Sequence, residues 1–166
     1  MKPIKQTTYE TCLACCLLML TGKSGKDQIE IWKHGWEFNY LIGQLNFFGN
    51  KYNKKITTYI ENKYYFNKLK KQSGKNINIV NSKINLKLID ELLKTGQVIV
   101  YLDCYYLYHI VHAPHFVVAA KRIKDKMEII DSNDSKIKMI PIRDLNKGII
   151  SLRNHLKYSP VLIKMD

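Results

Sequence analysis

Residues 12–20 are apolar without a break, so a helix there has no polar face and must be buried all round. Gly22 supplies its stop. Ser24 can cap a second helix running to residue 36, weakened by Gly35, and 37–49 reads as a third helix ending at Gly49. Residues 55–75 mix β-branched, aromatic and lysine side chains without a dominant period, and no element is assigned there. Alternation over 76–80 predicts a short strand, and 85–96 is an amphipathic helix stopped by Gly96. From residue 97 the period changes. Segments 97–103, 115–123, 127–131, 136–142 and 160–165 read as strands, with turns at 124–126 and 132–135 and a short helix over 143–155. Helices followed by a meandering sheet predict an α+β layout with the helices on one side of the sheet. No repeat or linker divides the chain, so residues 1–166 read as one domain.

Composition narrows the class. At 46% hydrophobic residues the chain can build a core, which excludes disorder. No stretch approaches the roughly 18 apolar residues of a membrane span, and no secretory signal pattern is present. The four cysteines, Cys12, Cys15, Cys16 and Cys104, are too few and too bunched for a disulfide framework. Free thiols point to a reducing, cytoplasmic setting. The net charge of +13 raises nucleic acid as a partner, but the positive charge is nearly all lysine. Only Arg122, Arg143 and Arg153 carry the guanidinium that reads bases and clamps phosphates, so no nucleic-acid partner is expected. The lysines suit an acidic peptide or protein substrate instead.

The candidate chemistry is nucleophilic. A working thiol needs a base, a group orienting that base, and donors for the oxyanion. The start of a helix favours a thiolate, and Cys12 stands there. Cys15 and Cys16 lie a turn further into the apolar helix, where a thiolate is disfavoured, and read as core. Among the five histidines, His115 begins a strand whose hairpin partner ends at Asp131. Folding that hairpin about Asp125 brings both to its open end, where the carboxylate can fix the imidazole tautomer.

These residues resemble the C39-type, papain-like cysteine peptidases that process bacteriocins. Gln6 stands six residues before Cys12, and Cys16, Leu17 and Met19 follow as in that family. His115-Phe116-Val117-Val118 and Ile129-Ile130-Asp131 look like its histidine strand and following aspartate. The resemblance implies an α+β, papain-like fold, with an N-terminal helical half packed on a C-terminal antiparallel β-sheet. It implies Cys12 as nucleophile, His115 as general base and acid, Asp131 as orienting group, and Gln6 as an oxyanion donor beside the Cys12 N–H. No cofactor or metal is implied. Thiol-dependent cleavage of a peptide is implied as the activity, with a leader peptide as one candidate substrate and a separate export transporter as one candidate partner. Three positions depart from the family: Thr11 replaces aspartate, Leu13 glycine and Ser132 proline. Leu13 is expected to narrow the cleft or change the substrate.

Rival readings use the same residues. A domain of this layout can bind peptide without cleaving it, and the same triad serves acyltransferases and transglutaminases. His109, His112 and His115, spaced every third residue near Cys104, raise a zinc site, although Pro114 breaks any shared helical face. Trp32, Trp36 and the aromatic run 105–108 are candidates for a peptide groove, with core packing as the commoner fate of such residues.

Overall fold

A computed structural model describes residues 1–165. After a 3-10 turn at Tyr9–Thr11 come α1 (Cys12–Leu20), α2 (Gln28–Lys33) and α3 (Tyr40–Lys51). Next follow β1 (Ile56–Ile60), α4 (Lys63–Gln72), β2 (Ile77–Asn81), α5 (Leu86–Leu93) and β3 (Val98–Asp103). The chain continues through α6 (Tyr105–Tyr108), β4 (Pro114–Ile123), β5 (Lys126–Asp131), β6 (Lys136–Pro141), α7 (Ile142–Asn154) and β7 (Val161–Met165). Side chains of Asn39, Asn62 and Asn85 accept from the amides of Leu41, Tyr65 and Leu88, capping α3, α4 and α5. The Asn62 cap starts a helix inside the stretch whose sequence has no dominant period. There the β-branched segment Ile56–Ile60 forms a largely buried strand before it.

One seven-stranded sheet runs through the molecule in the order β2-β1-β7-β3-β4-β5-β6. Strands β3 to β6 form the expected antiparallel meander. The C-terminal β7 inserts between β3 and β1, and β1 pairs with β2 in parallel. The sheet is therefore mixed and takes two strands from the middle of the chain.

The helices do not lie on one side, as the sequence pattern suggested. Leu13 and Leu17 of α1, Ile31 of α2, and Leu45 and Phe48 of α3 pack with Ile99, Phe116, Val118 and Ile130. The alternate residues Val98, Val100, Val117, Ala119 and Ile129 pack with Ile89 of α5 and with Leu145 and Ile149 of α7. Successive strand side chains point to opposite faces. Because β3 and β4 are apolar on both faces, neither face can be left to water. The sheet is accordingly covered twice.

α1 is buried from Cys12 to Met19 and lies across β4. α3 approaches the turn at His34–Trp36 so closely that a Cβ on Gly43 would sit 2.1 Å from the His34 carbonyl oxygen. This contact sets α3 beside the start of α1, with Tyr40 hydrogen-bonded to the Glu10 carbonyl.

Candidate active site

Cys12 is the first residue of α1 and retains 5% of its exposure. Its thiol stands beside the imidazole of His115, near the start of β4, close enough to raise that ring's affinity for a proton. His115 Nε2 lies 2.9 Å from Asp131 Oδ1 at the end of β5, so Nδ1 is the nitrogen left for the thiol. Burial by itself would push the imidazolium down, but the Asp131 hydrogen bond and the Cys12 sulfur outweigh it and raise His115 to about 9. For Asp131, burial would raise the carboxyl. The bonds from His115, Tyr108 and the Asn133 amide hold it well below the usual carboxylate range.

Asp131 is fully buried and more heavily bonded than its sequence neighbourhood suggested. The Tyr108 hydroxyl donates to Oδ2, and Lys138 Nζ reaches the same oxygen at 3.0 Å. The Asn133 amide donates to Oδ1 at 2.9 Å. Lys138 also sits 4.5 Å from the centroid of the Tyr108 ring and 2.9 Å from Asp134 Oδ2. Sequence reasoning missed Tyr108 and Lys138. The alternation of β6 marks Lys138 only as one of several strand lysines, and Tyr108 is one of three tyrosines in a four-residue run.

Gln6 lies on an N-terminal strap tied to the turn after β5. Its backbone N–H donates to the Ser132 carbonyl at 2.8 Å, and Ser132 Oγ donates to Gln6 Oε1 at 2.8 Å. With the amide oxygen engaged, the Nε2 end is the one left to act as a donor. A second anchor is buried Gln28. Its Oε1 accepts from Thr7 N at 2.8 Å and from Thr11 Oγ1 at 3.0 Å, and its Nε2 donates to Gly25 O at 3.0 Å. Nothing in the sequence pattern marks Gln28. Thr11 is fully buried in this network and also bonds the Thr8 carbonyl.

The remaining cysteines occupy the positions expected for core residues. Burial pushes Cys15 up to about 12 and Cys16 well above its ordinary value, and it also raises Cys104. Leu13 departs from expectation: it is fully buried in the core under the sheet and does not narrow the cleft. Residue 13 is one step along a helix from Cys12, about 100° round the axis, which turns it inward.

A cleft of about 730 Å³ opens beside Cys12. Its walls include Tyr40, Tyr65, Tyr101, Phe116 and Tyr158. Trp32, Trp36 and the aromatic run 105–108 do not line it. Trp36 is 70% exposed and meets Trp32 edge to face, while Tyr105 stacks on His112 at 4.2 Å. The three closely spaced histidines separate: His115 faces Cys12, His112 Nδ1 lies 2.6 Å from Asp103 Oδ2, and His109 ends α6 in the left-handed region. Among the described residues, no three His, Cys, Asp or Glu side chains are grouped to hold a metal ion. No helix among the described residues is long and apolar enough to cross a membrane.

No family model matches the sequence, and no curated protein matches it. A solved structure does: a Bacillus anthracis protein provisionally described as a C39-like peptidase. The likeness covers 97% of this chain and 92% of that one, with a TM-score of 0.55 and 13% identity. It shows that the two chains share a fold.

Proposed function

We propose that this chain is a thiol peptidase on a papain-like fold. Cys12 is the nucleophile, His115 the general base and acid, and Asp131 the group that orients the imidazole. The observation that carries this reading is a buried imidazole, His115, held 2.9 Å from Asp131 Oδ1 with the Cys12 thiol beside it at the start of α1. The thiol sits on the first turn of a helix, where the peptide dipoles favour a negative sulfur. A thiolate–imidazolium pair attacks the scissile carbonyl through Sγ. The oxyanion then develops toward the Gln6 Nε2 group and the Cys12 N–H. His115 delivers its proton to the departing amine, and water, deprotonated by the same ring, releases the acyl group. The likeness of fold to a C39-like peptidase supports the reading. The substrate is a peptide, and the net charge of +13 favours an acidic one.

Brief iodoacetamide labelling read by mass spectrometry, followed by a peptide-library profile on wild type and Cys12→Ala, tests the proposal. Cys12 is expected to label ahead of Cys15, Cys16 and Cys104, and Cys12→Ala to abolish turnover. Labelling of Cys104 as fast as Cys12 in the folded protein, or library cleavage that survives Cys12→Ala, refutes it.

A further inference from the structure

We propose that the cleft beside Cys12 is a subsite for an uncharged aromatic side chain of the bound peptide, an inference that rests on the thiol-peptidase reading above. Of the four residues given catalytic roles, Cys12 alone lines the cleft; Gln6, His115 and Asp131 do not. The cleft is thus continuous with the nucleophile but is not the space where the bond is broken. It suits the side chain of a residue next to that bond.

The walls define the chemistry of the occupant. Tyr101 stacks on Phe116 with centroids 4.2 Å apart and planes 17° apart. Tyr158 meets Tyr101 at 6.3 Å and 72°, so the three rings form a preassembled aromatic surface. The polar ends of two other walls are already engaged. Tyr40 donates to the Glu10 carbonyl, and Tyr65 donates to Asn39 Oδ1 at 2.8 Å. Burial keeps these phenols neutral, pushing Tyr65 up to about 12. Glu10 and Lys157 are the charged residues of the lining, one of each sign, so the cleft has no net charge to recruit an ion. Seven of its sixteen lining residues are aromatic.

Size permits this occupant. At about 730 Å³ the cleft falls within the range of sites that enclose a sizeable ligand. A glycine pair would leave most of it filled with water. An aromatic side chain would occupy one part of it against the ring walls, with room left for the peptide backbone on either side. Acidic residues elsewhere in a peptide remain open to long-range attraction by the lysine surface, because that attraction does not require this cleft.

The test uses three capped amino-acid amides, those of phenylalanine, glycine and glutamate, with the intact protein. Millimolar N-acetyl-phenylalaninamide is expected to shift the backbone resonances of Tyr101, Phe116 and Tyr158, while the other two do not. It should also slow iodoacetamide labelling of Cys12 about threefold at twice its Kd. Tyr158→Ala, at a half-exposed position, should abolish the shifts at Tyr101 and Phe116 in a protein that still folds. Equal shifts from all three amides, or none from the phenylalanine compound, overturn the subsite and leave the thiol reading standing. Failure of iodoacetamide to label Cys12 in the folded protein overturns both.

Discussion

His112 and His115 stand three residues apart in the chain, and each is bonded to a fully buried aspartate. Their surroundings differ on the other side of the ring. His115 retains 8% of its side-chain exposure and meets the Cys12 thiol. His112 retains 38%, is stacked on Tyr105 and lies beside His155, with ring centroids 4.6 Å apart. Ser151 is near, but its hydroxyl donates to Asp103 Oδ2 at 2.6 Å, the same oxygen that holds His112. Serine and imidazole therefore share the carboxylate, with no Ser–His–Asp relay between them. The Tyr105 amide occupies the second oxygen at 3.0 Å. This second pair fastens the segment between β3 and β4 to α7, and that segment carries Tyr108 to Asp131. A histidine–aspartate pair is thus not in itself a catalytic device. The group that the free nitrogen faces decides its role.

Removing each ring is the strongest way to break this comparison. His115→Ala and Cys12→Ala should each lower turnover on a found peptide by about 10³-fold or more, because triad members act as a unit. Asp131→Asn should cost about 10²- to 10⁴-fold by disturbing the tautomer. His112→Ala should stay within about threefold in the same assay, because its ring does not face the thiol. A His112→Ala enzyme as inactive as His115→Ala would abolish the distinction drawn between the two pairs.

Stability should reverse the ranking. Asp103→Ala strands Ser151 and the Tyr105 amide, and should lower the urea-unfolding free energy by about 2 kcal/mol. The rate of Cys12 alkylation should change less than tenfold in the same variant. An Asp103→Ala protein that unfolds at the wild-type urea concentration would show that the second pair braces nothing.

The dependence on pH sharpens the comparison further. His115 is raised from 6.5 to about 9, so the fold favours its charged form. Its contribution to stability is fully present below about pH 6.5 and is lost as pH rises through about 9. Turnover should fall on the same alkaline limb as the imidazolium that protonates the leaving amine disappears. Lys138→Met removes a cation 3.0 Å from Asp131 Oδ2, leaving more of that charge to His115. The limb should move up by about half a pH unit. A limb that stays in place, or moves down, rules out Lys138 as a competitor for Asp131. The smallest effect is assigned to Ser132→Ala, which frees the Gln6 amide and should reduce turnover about fivefold, equivalent to ~1 kcal/mol.

The residues of the candidate site were more legible than their arrangement. Cys12 stood out because it begins a wholly apolar helix, the position that favours a thiolate, while Cys15 and Cys16 lie a turn further in. The strands 97–103 and 127–131 were readable from short runs rich in β-branched apolar residues and from the turn residues around them. Segment 55–75 was not, because a buried strand and a lysine-rich helix adjoin there without one common period. Asn62 separates the two through a cap that forms only once the helix exists. The double covering of the sheet was present in the unbroken apolar runs of β3 and β4, although their position after the helices suggested a one-sided layout.

By itself, the sequence determined which chemistry is available: a thiol at a helix start, an imidazole at a strand start, and a carboxylate at the end of the paired strand. Each is a local property of spacing and period. The tertiary structure decided whether they meet. In β4 and β5, Ala119 pairs with Ile129, while Lys121 pairs with Glu128. The bulge between them shifts the pairing by one residue. Because strand side chains alternate, that one residue puts His115, four before Ala119, on the same face as Asp131, two beyond Ile129. Without the bulge the same residues would face opposite ways. Tyr108, Ser132 and Gln28 join the site across long chain separations, and Lys138 joins it from the next strand, for a related reason: each is recruited by burial of a polar group that needs a partner. Such needs arise only after the chain has folded.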